Sequence, residues 1–252
     1  MFEVTFHILL LLLCAAFVAG FVDSIAGGGG LITVPVLLLA GANPVEALST
    51  NKVQGIFGSG TAALSYAARG HVDLRRQARV ALIAFFAGVL GAFLATVVPT
   101  DLLRLGLPVI LVGIAAFFAF KPGLDDLDRA ERLTPPVLAV TAVPLIAAYD
   151  GLLGPGAGAF YMIAFVTLSG YGVLKATAHT KLLNFASNLG GLAAFAAYGA
   201  PWWATGVAMG LAQMAGARVG SIVAMHIGAR IIKPLLVVTS TILALRLIWD
   251  ML

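Results

Sequence analysis

The chain has 252 residues, 61% of them hydrophobic and only 10% charged, with a formal net charge of +4 and a mean hydropathy of +1.03. No water-soluble fold hides that much apolar surface, so composition excludes a soluble domain and makes lipid the solvent for most side chains. The basic residues sit in short loops between apolar segments rather than in a stripe with interleaved aromatics, which excludes nucleic acid as a partner and fits determinants of membrane topology.

The first apolar segment runs from Phe6 to Ile25. Met1 to Thr5 carries Glu3 and no Lys or Arg, unlike the basic start of a signal peptide, so this segment is expected to remain in the mature protein. Cys14 is the chain's one cysteine and reads as packing. The segments Leu31 to Ala42, Val45 to Ala68, Gln77 to Val98 and Leu102 to Phe120 follow. A polar linker, Lys121 to Thr134, then divides the chain almost in half with Asp125, Asp126, Asp128, Arg129, Glu131 and Arg132. Beyond it come Pro135 to Leu153, Ala159 to Leu168, Val173 to Tyr198, Trp202 to Ile227 and Ile231 to Trp249. The segments beginning at Leu31 and Ala159 are short for a membrane crossing, which takes about 20 residues.

The two halves align under a nearly constant shift. Adding 129 carries Ala47 to Ala176, Lys52 to Lys181, Gly70 to Gly199, Gly91 to Gly220 and Arg104 to Lys233; upstream, adding 127 carries Asp23 to Asp150, Gly27 to Gly154 and Gly29 to Gly156. Glycine matches are cheap in a chain with 29 glycines, but matched lysines inside apolar helices are not. Arg69, Arg75, Arg76 and Arg79 answer to Tyr198, Ala204, Thr205 and Ala208, so the same loop is basic in one half and uncharged in the other. Because Lys and Arg collect on the cytoplasmic side, the halves are expected to be inverted.

The expected fold is therefore an all-α polytopic membrane protein in one transporter domain, residues 1–252. Repeat 1 covers about 6–120 and repeat 2 about 135–250, joined by the cytoplasmic linker 121–134. Inversion requires an odd number of crossings per half, so the expectation is five plus five segments with both termini outside; the alternative is eight spans with two re-entrant segments.

Unpaired backbone groups are costly in hydrocarbon, so the Gly-rich runs must be buried in protein or line a watery cavity. Gly28, Gly29 and Gly30 precede one short helix, and Gly156 and Gly158 the other. The free N–H groups and positive dipole ends of both helices face that gap, and such ends attract anions. Lys52 and Lys181 lie inside apolar helices, where a lysine costs roughly 2.5 to 3.5 kcal/mol on insertion scales. Asn51, Thr180, Asn184 and Asn188 extend a polar face around them, as in an inverted-repeat carrier with a midplane site. Asp23, Asp150 and His179 are the candidates for proton coupling, with helix capping as the plainer role for the two carboxylates. Arg218 has Val89 as its counterpart, and reads as a third cationic contact, a partner for an acid, or a residue at the interface. No second His or Cys stands near His179 at ligand spacing, so no metal is expected, and the reading calls for no cofactor.

Asp23 with Gly27 to Gly30, then Thr33-Val34-Pro35 and Thr50-Asn51-Lys52, resembles the sulfite exporter TauE/SafE family of membrane permeases. The second half fits in Gly154-Pro155-Gly156-Ala157-Gly158, Ala176, Thr180-Lys181, Asn184 and Asn188 through Gly191. The resemblance implies a secondary transporter in a bacterial or archaeal plasma membrane, handling sulfite or an organosulfonate. Its partners are then the lipid bilayer, a small anionic substrate, and protons or sodium as the coupling ion. A passive anion channel and, more distantly, an intramembrane enzyme are the alternatives; no P-loop is present to spend nucleotide energy.

Overall fold

The structure, a computed structural model, describes residues 2–95, 112–113, 116–117, 120, 124–198 and 201–249. The described residues are mostly helical, joined by turns and loops, without strands. In chain order they form α1 (Phe6–Ala26), α2 (Gly29–Leu39), α3 (Pro44–Ala67), α4 (Leu74–Leu94), α5 (Pro135–Val140), α6 (Ala142–Leu152), α7 (Ala157–Thr167), α8 (Val173–Tyr198), α9 (Trp203–Ile227) and α10 (Ala229–Trp249). The expected segment Leu102 to Phe120 lies almost wholly outside the described residues.

Among the described residues four helical stretches are long and apolar enough to cross a membrane: α1, α4, the α5–α6 stretch Pro135–Leu152 and α9. The helices α3 and α8, of 24 and 26 residues, match them in length, roughly 36 to 39 Å at 1.5 Å per residue. They are less apolar because their buried faces carry the polar residues, among them Lys52, Gln54, Thr180 and Lys181. Leu10, Leu11, Leu82, Phe86, Leu90 and Leu211 are exposed on outer faces. Outward Leu and Phe with a polar interior is the arrangement of a bundle solvated by lipid.

Two expectations need adjustment. Pro135 to Leu153 is not one continuous helix but breaks at Thr141, at φ −115° and ψ −80°. Pro144 supplies no N–H for the Val140 carbonyl and its ring crowds that carbonyl, so the ladder is cut four residues upstream. The short helices start at Gly29 and Ala157 rather than Leu31 and Ala159, so glycines occupy their first turns.

Close packing rests on small residues. A Cβ on Gly216 would collide with the Phe17 carbonyl, and one on Gly91 with the Ala148 carbonyl. So α1 lies against α9 much as α6 lies against α4, and backbone-to-backbone approach replaces the hydrophobic drive that lipid cannot supply.

Hydrogen bonds at the helix ends fix chain direction. The backbone N–H groups of Arg132 and Leu133, just before α5, donate to Leu168 O at the end of α7, both at 2.9 Å. Val173 N at the start of α8 donates to Asp125 O at 2.9 Å, and Leu174 N to Asp126 Oδ1 at 3.0 Å. The start of α5, the end of α7 and the start of α8 therefore share one face with the linker. At the opposite end of α8, Trp202 N donates to Thr50 Oγ1 at 2.9 Å, near the start of α3. Glu3 caps α9 there too, accepting from Thr205 N at 3.1 Å and Thr205 Oγ1 at 2.7 Å. Thus α3 starts where α8 ends, and the two run in opposite directions.

The linker is a clasp rather than a slack connection. Asp126 also accepts from Ala229 N at 2.9 Å, tying the starts of α8 and α10 together. The Gly172 N–H and the Lys175 ammonium hold the Asp128 carboxyl below its ordinary range. A depressed carboxylate contributes above its unfolded value, so this tie persists at neutral pH and loosens as pH falls through the folded value.

Candidate functional site

Helices α1 and α6 each end in a Gly-rich break, after which α2 and α7 begin. At the first break Gly27 has φ +77°, a left-handed conformation open to glycine, and its N–H returns to Asp23 O at 2.8 Å. At the second, Gly154 and Gly156 have φ +91° and +83°. The breaks touch: a Cβ on Gly27 would stand 2.6 Å from the Gly158 Cα. The N-termini of two 11-residue helices from different halves of the chain thereby converge on one place.

A polar cavity lies at that place, leaving about 20 Å³ for the centres of water molecules, room for one or so. Asp23, Asp150, Asn51, Asn184, Asn188 and Gln213 line it, with glycines of both breaks. Of the residues predicted from sequence, Asp23, Asp150, Asn51, Asn184, Asn188, Gly30 and Gly158 are on its wall.

The lysines sit behind that wall, fully buried, and each reaches across to the other half. Lys52 Nζ pairs with Asp150 Oδ1 at 2.7 Å and also donates to the Asp150 carbonyl. Lys181 Nζ donates to the carbonyl of Asp23 and makes no ion pair among the described residues. The first lysine thus serves the carboxylate of the second aspartate, and the second lysine the main chain of the first.

The two carboxylates are not equivalent. Asp150 is saturated: besides Lys52, its Oδ2 accepts from Ser187 Oγ and from Asn188 Nδ2, the latter at 3.3 Å. Asp23 accepts from Gly29 N at 3.2 Å through Oδ1, an N-terminal cap of α2. Burial of these four charged side chains is tolerable because each is hydrogen-bonded, and the contacts join α1, α3, α6 and α8.

Other predicted residues take supporting places. Asn51 Oδ1 accepts from Thr33 Oγ1 at 2.7 Å and from Gln54 Nε2 at 3.1 Å, which ties α3 to α2. Thr180 Oγ1 bonds back to Ala176 O at 2.8 Å within its own helix. Gly28 and Gly156 precede the first turns of α2 and α7, and Gly29 opens α2. His179 is off the cavity, its ring packed 4.9 Å from Tyr171 and 5.7 Å from Phe165. Arg218 is exposed and donates to Ser65 Oγ at 3.3 Å, away from the site. Among the described residues no group of three or more His, Cys, Asp or Glu is placed to hold a metal ion. Sequence reasoning missed Gln213, whose counterpart under the shift of 129 is Ala84, so the repeat gave no signal for it.

This pairing of two Gly-broken helices with crossed Lys–Asp contacts lies within the span, residues 12–247, matched by the family model described as sulfite exporter TauE/SafE. The chain belongs to the sulfite exporter TauE/SafE family. Curated relatives agree over the full length. A "Probable membrane transporter protein ORF9" of Sinorhizobium sp is 56% identical over 248 residues, covering 98% of this chain and 95% of the relative. A "Probable membrane transporter protein YfcA" of Escherichia coli (strain K12) is 42% identical over 250 residues, covering 99% and 93%. A "Probable membrane transporter protein" of Haemophilus influenzae is 36% identical over 248 residues, covering 98% and 97%. No solved structure matches the chain. As a member of the TauE/SafE family, the protein is a multi-pass membrane transporter.

Proposed function

We propose that this TauE/SafE protein is a secondary transporter of a small sulfur-containing anion, sulfite or an organosulfonate, coupled to protons and working in the plasma membrane. The observation that carries the reading is the central cavity, where two helix N-termini meet two aspartates backed by two buried lysines. The four charged side chains sum to zero, so an anion entering this low-dielectric place brings an uncompensated charge. A proton arriving with it restores the balance. Lys181, whose ammonium makes one hydrogen bond among the described residues, and the N–H groups of α2 and α7 are the donors to the anion. Asp23, the less saturated carboxylate, is the proton acceptor. Asp150 and Lys52 form the fixed counterpart. His179, packed among aromatics, stands apart from this exchange.

The proposed architecture is a pair of inverted repeats with five membrane segments each, counting α2 and α7, and both termini outside. The opposed directions of α3 and α8, the matched crossings of α1 with α9 and α6 with α4, and the crossed lysines support it. Single cysteines introduced at Arg76 and Ala204, in a Cys14→Ser background, should be labelled by an impermeant thiol reagent from opposite sides of the membrane; equal access would contradict inversion.

Substrate class is tested on purified protein by thermal shift against sulfite, methanesulfonate, sulfoacetate, thiosulfate, sulfate and acetate. Sulfite or a sulfonate should stabilise it well beyond acetate at equal concentration. Stabilisation by acetate alone would move the substrate to the carboxylates.

A further inference from the structure

The repeat makes the wall of the cavity nearly two-fold, and one side chain breaks that symmetry. Gln213, on α9, is 3% exposed and lines the cavity, yet its Oε1 has no hydrogen-bond partner among the described residues. The amide oxygens of two neighbours on the wall are engaged: Asn51 Oδ1 accepts two hydrogen bonds, and Asn184 Oδ1 accepts from Asn188 Nδ2 at 2.8 Å. A buried carbonyl oxygen without a donor is unfavourable and persists where something outside the apo protein uses it.

The space for this side chain is cut by glycines. A Cβ on Gly58 would lie 2.6 Å from Gln213 Nε2 and 2.8 Å from its Cδ, and one on Gly20 2.9 Å from its Cγ. In the other half the sizes are exchanged: the counterpart of Gly58 is Ser187 and that of Gln213 is Ala84. Ser187 uses its hydroxyl on the Asp150 carboxylate. On the Asp23 side the same room goes to a longer amide whose oxygen bonds nothing among the described residues. The exchange leaves Asp150 locked and gives the Asp23 side a carboxamide with an unpaired oxygen.

We propose that Gln213 is a ligand-binding residue of the cavity, its carboxamide hydrogen-bonding the transported oxyanion and fixing which way round that anion sits. A two-fold wall alone offers the same contacts to either orientation, whereas one amide on one side selects between them. The ligand class is a small oxyanion that accepts from Nε2 and gives Oε1 a hydrogen from a hydroxyl or a bound water of its own. This deepens the transport reading above and rests on it for the identity of the anion.

The test is Gln213→Met, which keeps length and removes both polar atoms, measured beside wild type with and without sulfite and methanesulfonate. Without anion, the variant should melt at or above the wild-type temperature, because an unpaired buried oxygen is gone. With anion, it should bind about tenfold or more weakly, the loss of one to two hydrogen bonds. Gln213→Glu should also lose affinity, since it adds a negative charge to the anion's wall. A variant that melts lower without anion shows a structural amide and overturns the proposal, as does one that binds with wild-type affinity. Should neither anion shift even the wild-type protein, the substrate class falls, and the anion-free comparison still decides for or against Gln213.

Discussion

Replacing Lys52 by Met should cost the protein about 3 to 5 kcal/mol of stability, the penalty for leaving one partner of a buried pair alone. Asp150, fully enclosed beside it, would keep Ser187 and Asn188 but lose its only cation. Lys181→Met should behave differently, because that ammonium bonds a backbone carbonyl and leaves no carboxylate stripped of an ion pair. Its fold should hold while anion-induced stabilisation disappears. Melting temperatures of both variants, with and without sulfite, check this contrast. The double variant Lys52→Met/Asp150→Leu should regain most of the lost stability, since removing both charges removes the penalty. A Lys52→Met protein as stable as wild type would mean that the pair is not buried as described.

Asp23→Asn should uncouple transport from protons without unfolding the protein. Asn keeps an Oδ1 that can accept from Gly29 N, and the contact of Lys181 is to the main chain of residue 23, so both local bonds survive. What is lost is the ability to take up a proton. A one-unit pH gradient drives about tenfold accumulation in a one-proton carrier, since each factor of ten corresponds to 1.4 kcal/mol. In liposomes the wild type should approach that ratio, and Asp23→Asn should stay near one while still exchanging substrate. Asp150→Asn should instead behave as a stability variant, because it strands Lys52. If Asp23→Asn accumulates substrate as well as wild type, its carboxylate is a helix cap and coupling must be sought elsewhere, at His179 or a sodium site.

Much of this fold is readable in the sequence because the bilayer makes hydropathy decisive. Apart from Leu102 to Phe120, which lies almost wholly outside the described residues, the apolar runs, the two Gly-rich breaks and the short helices behind them fall within a few residues of the helices described. Asp23 and Asp150 and the asparagines were identifiable as wall residues because polar groups in lipid must face one another. Three features were not. Which lysine serves which aspartate depends on how the halves dock, and the crossed pairing of Lys52 with Asp150 has no trace in spacing along the chain. The break at Thr141 required weighing one proline against an otherwise continuous apolar run. Gln213 lies in the middle of a span with no counterpart in the first half, so periodicity and repeat were both silent; only the unpaired Oε1 and the glycines beneath it mark it.

The central claim, that the crossed Lys–Asp cavity belongs to a carrier, is tested most directly by counterflow. Liposomes holding purified protein and a high concentration of unlabelled sulfite are diluted into a trace of radiolabelled sulfite, and uptake of label is followed. A carrier predicts a transient overshoot of label above equilibrium, saturable in sulfite and abolished by Lys181→Met. Label that only equilibrates, with a current proportional to sulfite concentration and no exchange, would contradict the carrier and make the cavity part of a pore.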